Sequence, residues 1–123
     1  MCYESNTADF VRSARKWLSD RLSSAVQMPD PCSAHPCSPI KLIQRLHEAG
    51  GKGFRAEMLA SGMAMAGATE FPLQRAFSIS GALELLHIFG MLQDDVVDDA
   101  SMRRGIPCAH RYAAEGLTIE DPS

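Results

Sequence analysis

The stretch that most constrains this chain runs Leu83-Glu84-Leu85-Leu86-His87-Ile88-Phe89-Gly90-Met91-Leu92-Gln93, then Asp94-Asp95-Val96-Val97-Asp98-Asp99. An apolar run of helical character carries one His and ends in four carboxylates spaced Asp-Asp-x-x-Asp-Asp. On a helix, Asp94 and Asp98 share a face, as do Asp95 and Asp99. Like charges at that spacing repel by about 0.2–0.5 kcal/mol per pair, and a helix C-terminus adds its own negative partial charge. Nothing in the immediate sequence offsets these repulsions. A divalent cation reverses the sign of each, so a metal site is the first expectation. A solvated acidic helix end is the plainer alternative, but the cluster follows an apolar run directly rather than a polar face.

The rest of the chain supplies helices for this stretch to pack against. Phe10, Val11, Ala14, Trp17, Leu18, Leu22 and Val26 recur at three- and four-residue steps, which predicts a first helix over 6–28 with Asn6 or Thr7 as N-cap. Pro29, Pro31, Pro36 and Pro39 mark a loop. A short helix follows from Ile40 to Ala49, and Gly50-Gly51-Lys52-Gly53 breaks it. Phe54 to Ala68 is apolar all round and rich in Ala, Gly and Met, as a helix buried among others is. Pro72 suits the first turn of a fourth helix reaching the Asp cluster, interrupted by Gly81 and Gly90, which make room for a backbone or a ligand. Residues 100–107 read as a loop, 108–115 as a short helix and 116–123 as a polar tail. No strand-like alternation appears, so the expected fold is all-α within a single domain.

Composition narrows the partners. A net charge of -3 speaks against nucleic acid or an anionic membrane as the main partner, so any anion site must be built locally from Lys and Arg. The N-terminus has no apolar signal core, and no apolar run approaches the roughly 18 residues of a membrane span. The expectation is a cytoplasmic protein without a transmembrane segment. Cys2, Cys32, Cys37 and Cys108 are then expected as reduced thiols. A zinc site can be drawn from Cys32, His35, Cys37, Cys108 and His110, but the spacing fits no usual template, and a loop with incidental Cys and His is favoured.

Three further elements bear on the Asp cluster. In Gly50-Gly51-Lys52-Gly53-Phe54-Arg55, glycine amides at a helix start and two cations three apart suit a phosphate. Taken alone, an ordinary helix–Gly–helix turn explains it better. Arg103-Arg104-Gly105 offers rigid forks of donors for phosphate oxygens, or a basic loop that neutralises the acidic cluster. His87 lies seven residues before Asp94, within about 20° of it on an ideal helix, so a ligand role competes evenly with that of a satisfied core His. Together these call for a di- or triphosphate held through Mg²⁺ at one end and Lys/Arg at the other.

Asp-Asp-x-x-Asp after Leu-Glu-Leu-Leu-His, then Arg-Arg-Gly-x-Pro, with Gly-Gly-Lys-x-x-Arg upstream, resembles the trans-isoprenyl diphosphate synthases, or polyprenyl synthetases. The match runs from about Ile40 to Arg111. Class I terpene cyclases share Asp-Asp-x-x-Asp, but the other two elements point to the chain elongators. The resemblance implies the N-terminal part of an antiparallel helical bundle of the isoprenoid-synthase type. It implies Mg²⁺-dependent condensation of isopentenyl diphosphate with an allylic diphosphate. By motif position Asp94 and Asp98 would ligate Mg²⁺ and Asp95 would support them. Arg103 would hold the allylic diphosphate, and Lys52, Arg55, His87 and Arg104 the isopentenyl diphosphate. Phe89 and Gly90 would line the chain-length pocket and hint at a medium-length product such as geranylgeranyl diphosphate.

The departures are informative too. The family commonly has Arg and Pro where this chain has Gly53 and Ala56. A second Asp-rich motif is expected on a later helix of such a synthase, and Glu120 and Asp121 in the polar tail do not supply it. Residues 1–123 are therefore expected to form a partial synthase domain, inactive alone, with an apolar face that favours a homodimer or a second subunit. The alternatives are a complementing subunit of a two-chain synthase and a small helical binding module.

Overall fold

A computed structural model describes residues 7–27, 38–67 and 72–115. Asn6, Cys32, His35, Cys37, Glu120 and Asp121 lie outside the described residues. The elements are α1 (Thr7–Val26), α2 (Pro39–Glu48), α3 (Phe54–Met65), α4 (Leu73–Val97), β1 (Met102–Arg103), β2 (Ile106–Pro107) and α5 (Ala109–Glu115). The molecule is thus essentially all-α, as the periodicity predicts.

Helix α1 buries Phe10, Ala14, Leu18 and Leu22, a stripe at four-residue steps, against α2, α3 and α4. Phe10 is fully buried, a contribution of about 2–3 kcal/mol. It joins Ala14, Ala56, Ala60 and Ala76 in one core cluster, where the small alanines let the helices approach closely. Its ring stands 5.5 Å from that of Phe77 on α4. A second cluster, Leu42, Leu46, Ile88 and Tyr112, joins α2 and α5 to the acidic half of α4. Gly81 has a clear steric purpose: a Cβ there would stand 3.0 Å from the Trp17 ring. Gly90 has no such neighbour among the described residues.

Two expectations are corrected here. The segment read as a featureless loop after the Asp cluster contains a small antiparallel hairpin, with Met102 opposite Pro107 and Arg103 opposite Ile106. Arg104 and Gly105 form its turn with φ of 51° and 81°, the positive pair that a two-residue hairpin turn of type I′ demands. The strands are too short to show alternation, and Arg is an uncommon residue at that corner, so the pattern did not announce itself. The second correction concerns length and hydropathy. Helix α4 has 25 residues and an 18-residue window of mean hydropathy 1.3, so by length and composition it is long and apolar enough to cross a membrane. Counting only uninterrupted apolar residues missed this, because Glu84 and His87 sit inside the window.

The packing of α4 says more about that helix than its composition. It touches α1, α2, α3 and α5 and buries Ala76, Ser80, Gly81, Ile88 and Asp95. The remainder leaves an apolar face uncovered: Leu86 is 65% exposed and Phe89 55%. Among the described residues, this is the unpartnered face expected from the sequence.

Candidate active site

The four carboxylates at the end of α4 divide into three environments. Helix α4 closes at Val97, and the Asp98 N–H donates to the Asp94 carbonyl at 2.8 Å. Asp94 and Asp98 are exposed one turn apart. Asp95 points inward, its side chain only 2% exposed. Its Oδ1 accepts hydrogen bonds from Arg103 Nε at 2.8 Å and from Arg103 Nη2. Asp99 has left the helix with φ of 49°, so it does not share a face with Asp95 as ideal periodicity suggested. Arg111 Nη2 donates to Asp99 Oδ1 at 3.0 Å, and His110 Nε2 lies 3.5 Å from the same oxygen.

The charges of Asp95 and Asp99 are therefore compensated by groups that the hairpin and α5 bring back, whereas the repulsion between Asp94 and Asp98 remains. The Asp95 hydrogen bond, and then its charge, push the Arg103 guanidinium further above its ordinary range. Burial, and then a hydrogen bond to Asp95, raise the Cys108 thiol, which therefore stays un-ionised. Asp95→Asn keeps one acceptor for Arg103 but removes the charge it answers. It is expected to lower the urea midpoint by the equivalent of about 1–2 kcal/mol. An unchanged midpoint would mean that the pair does not hold the hairpin to α4.

The basic residues of the motifs have separate partners. Arg55, at the start of α3, lies 3.9 Å from Glu84 on α4. Arg104 Nη1 donates to the Leu46 carbonyl at 2.9 Å. That oxygen belongs to the last turn of α2, whose carbonyls lack intrahelical partners and carry negative partial charge. Arg104 also lies against Gly51, where a Cβ would stand 3.2 Å from its Nη2. The hairpin thus links Arg-Arg-Gly to Gly-Gly-Lys-Gly, two motifs half the chain apart. Lys52 is exposed and has no hydrogen bond or ion pair to any described residue.

His87 sits among these cations. Burial lowers its pKa below the ordinary 6.5; Arg55, then Arg104 and Arg103, lower it further, and Glu84 opposes them. Its imidazole is therefore neutral at neutral pH. The unfolded chain takes up this proton at a higher pH than the folded one. The stability this group contributes is present above pH 6.5 and is lost as pH falls through the folded value. An NMR titration is expected to place the His87 midpoint below the ordinary 6.5, and Arg55→Gln is expected to raise it. A midpoint at or above that ordinary value would remove Arg55, Arg103 and Arg104 from its surroundings.

Among the described residues no group of three or more His, Cys, Asp or Glu side chains forms a ready metal cage. Two exposed carboxylates one turn apart nonetheless fit Mg²⁺, which often takes one or two carboxylates and completes its octahedron with water and substrate phosphate. Of the residues in the zinc drawing, Cys32, His35 and Cys37 lie outside the described residues, and Cys108 is buried beside Asp95.

The polyprenyl synthetase family model matches residues 40–121. The chain belongs to the polyprenyl synthetase family. The geranylgeranyl diphosphate synthase of Saccharolobus solfataricus is 35% identical over 60% of this chain and 21% of its own length. The short chain isoprenyl diphosphate synthase of Methanothermobacter thermautotrophicus is 28% identical over 90% of this chain and 32% of its own. Heptaprenyl diphosphate synthase component 2 of Geobacillus stearothermophilus is 30% identical over 79% and 30%. The chain therefore spans between a fifth and a third of the length of these curated relatives. No solved structure matches the chain at a significant level.

Residue by residue, Arg55, Arg103 and Arg104 all bear on the charge of His87, and Asp94, Asp98 and Lys52 are exposed. Phe89 is half exposed on the uncovered face of α4, and Gly90 follows it. Sequence reasoning missed Arg15, Glu84 and Arg111. Arg15 bonds a backbone carbonyl, which leaves no trace in side-chain pattern. Glu84 and Arg111 could have been found as the opposite charges nearest the motif residues.

Proposed function

We propose that this chain forms one wall of the active site of a Mg²⁺-dependent trans-prenyltransferase that joins isopentenyl diphosphate to an allylic diphosphate. The observation that carries this reading is that Arg55, Arg103 and Arg104 all act on a neutral His87, which lies about two helical turns (~10 Å) from Asp94 and about three (~16 Å) from Asp98. Such a pairing of a basic cluster with an acidic rim suits two diphosphates, one of them metal-bound.

In this reading Lys52, Arg55, His87 and Arg104 hold the isopentenyl diphosphate. Arg103, fixed by Asp95, is set toward the allylic diphosphate. Asp94 and Asp98 would hold Mg²⁺, which supplies charge neutralisation on the departing diphosphate. The allylic C–O bond breaks with its electron pair on the diphosphate. The isopentenyl double bond attacks the allylic carbon, and a proton is lost from the adduct. The exposed apolar face of α4, with Leu86, Phe89 and Gly90, faces the growing hydrocarbon. Arg and Lys act by binding and by presenting positive charge already aimed at the oxygens where negative charge develops.

Calorimetry with inorganic pyrophosphate tests the reading directly. Binding is expected to tighten on adding Mg²⁺ and to weaken in Arg103→Ala. Binding that is absent, or indifferent to Mg²⁺, would leave only a helical binding module. Turnover of labelled isopentenyl and allylic diphosphates by residues 1–123 alone is not expected, because the exposed face of α4 leaves a hydrocarbon open to water.

A second reading, a complementing subunit of a two-chain synthase, is favoured by that same uncovered face. Relatives named as a component and as a heterodimeric large subunit are among those similar to this chain. Co-purification of a second Asp-Asp-x-x-Asp protein would favour it, and self-association alone would count against it.

A further inference from the structure

The Gly50–Gly53 loop is held by two arginines far apart in sequence. Arg104 of the hairpin lies against Gly51, as described. Arg15 of α1 donates from Nη1 to the Gly51 carbonyl at 3.0 Å. One turn earlier on the same helix, Val11 packs against Gly53, where a Cβ would stand only 2.5 Å from Val11 Cγ1. Residues 11 and 15 are four apart and so share a face of α1. The backbone of α1 is fixed in turn at Arg15, whose carbonyl lies 3.3 Å from Nε2 of the buried His47.

The peptide plane converts this contact into an orientation. No cis peptide bond occurs among the described residues, and in a trans peptide the C=O and the following N–H point in opposite directions. With the Gly51 carbonyl turned toward Arg15, the Lys52 N–H is turned away from it. No described residue accepts a hydrogen bond from that N–H, and Lys52 is exposed. The next residues open α3, whose first N–H groups lack intrahelical acceptors and carry positive partial charge.

We propose that Arg15 is a positioning residue: by holding the Gly51 carbonyl it aims the Lys52 amide outward to receive a diphosphate oxygen. This rests on the reading of the loop as the isopentenyl diphosphate site. Arg15 itself does not touch that substrate. It lies before residues 40–121, the part matched by the family, so the motif correspondence does not assign it a role.

The test uses the 123-residue chain, inorganic pyrophosphate without metal, and backbone amide NMR. Pyrophosphate is expected to shift the Lys52 and Gly53 amide resonances. Arg15→Ala is expected to weaken this binding about tenfold, the worth of one well-made hydrogen bond, and to lower amide order in the loop before any ligand is added. Arg15→Lys, which still donates to the carbonyl, recovers part of both. Arg12→Ala removes the same charge from an exposed site paired, among the described residues, only with Asp9 and is expected to leave affinity within about twofold. Unchanged loop order and affinity in Arg15→Ala would overturn the assignment, as would equal weakening by Arg12→Ala. If wild type binds at Lys52 but Arg15→Ala has no effect, only the role of Arg15 fails. If the wild-type amides ignore pyrophosphate, the diphosphate reading of the loop fails and the positioning role falls with it.

Discussion

Asp94→Ala combined with Asp98→Ala is expected to abolish the Mg²⁺ dependence of pyrophosphate binding while leaving the chain folded. Both side chains are exposed, and neither belongs to the buried Asp95–Arg103 pair. Removing them even relieves like-charge repulsion at a helix end, worth about 0.2–0.5 kcal/mol. Stability and metal binding should therefore move in opposite directions, a signature that a merely structural acidic cluster would not give. In a synthase of the kind proposed, each single variant is expected to lower turnover roughly 10²–10³-fold, the usual loss when one preorganised contact to developing charge is removed. Calorimetry at several Mg²⁺ concentrations, beside thermal melts, separates the two effects. Retention of Mg²⁺-linked affinity in the double variant would remove the acidic rim from the proposed mechanism.

Gly53→Ala is expected to destabilise the fold by about 2–4 kcal/mol, because two costs add. Gly53 caps α3 with φ of 69°, where an L side chain costs about 1–2 kcal/mol. The new methyl would also stand 2.5 Å from Val11 Cγ1, an overpacking that typically costs about 1–3 kcal/mol. Val11→Ala removes the clash but not the backbone strain, so the double variant should recover part of the loss. Urea unfolding of the two single variants and the double variant measures this coupling. A Gly53→Ala chain as stable as wild type would show that α1 does not press on the loop. The position is one where the chain departs from the pattern it otherwise resembles. An Arg there would meet Val11, so the change in the motif and the approach of α1 belong together.

Much of this architecture is legible from the residues. Phe10, Ala14, Leu18 and Leu22 recur at helical steps and become the buried stripe of α1. The acidic run marks the end of α4 within a residue or two. What could not be read is anything set by a backbone that leaves its regular path. Asp99 falls on the Asp95 face if periodicity continues, whereas the helix stops at Val97. Arg103 and Arg104 are adjacent in sequence but part at a positive-φ turn, one toward the buried Asp95 and the other toward the Leu46 carbonyl. Arg15 reads as a solvated gap-filler in an amphipathic pattern, because its partner is a carbonyl with no side-chain identity.

The contacts that fix the basic residues lie within the described part of the chain. Arg103 is held by Asp95, Arg104 by the end of α2, and Gly51 of the loop by Arg15. The rotamer entropy of Arg103 and Arg104 is thus surrendered when the helices pack, not when a diphosphate arrives, a cost of roughly 2 kcal/mol for each long basic side chain. Lys52 is the exception: it is exposed and has no hydrogen bond or ion pair to any described residue. On the proposed reading a diphosphate would meet two arginines already set beside one exposed lysine. Most of the ordering needed for recognition is then complete before encounter, which is the usual physical basis of preorganised affinity.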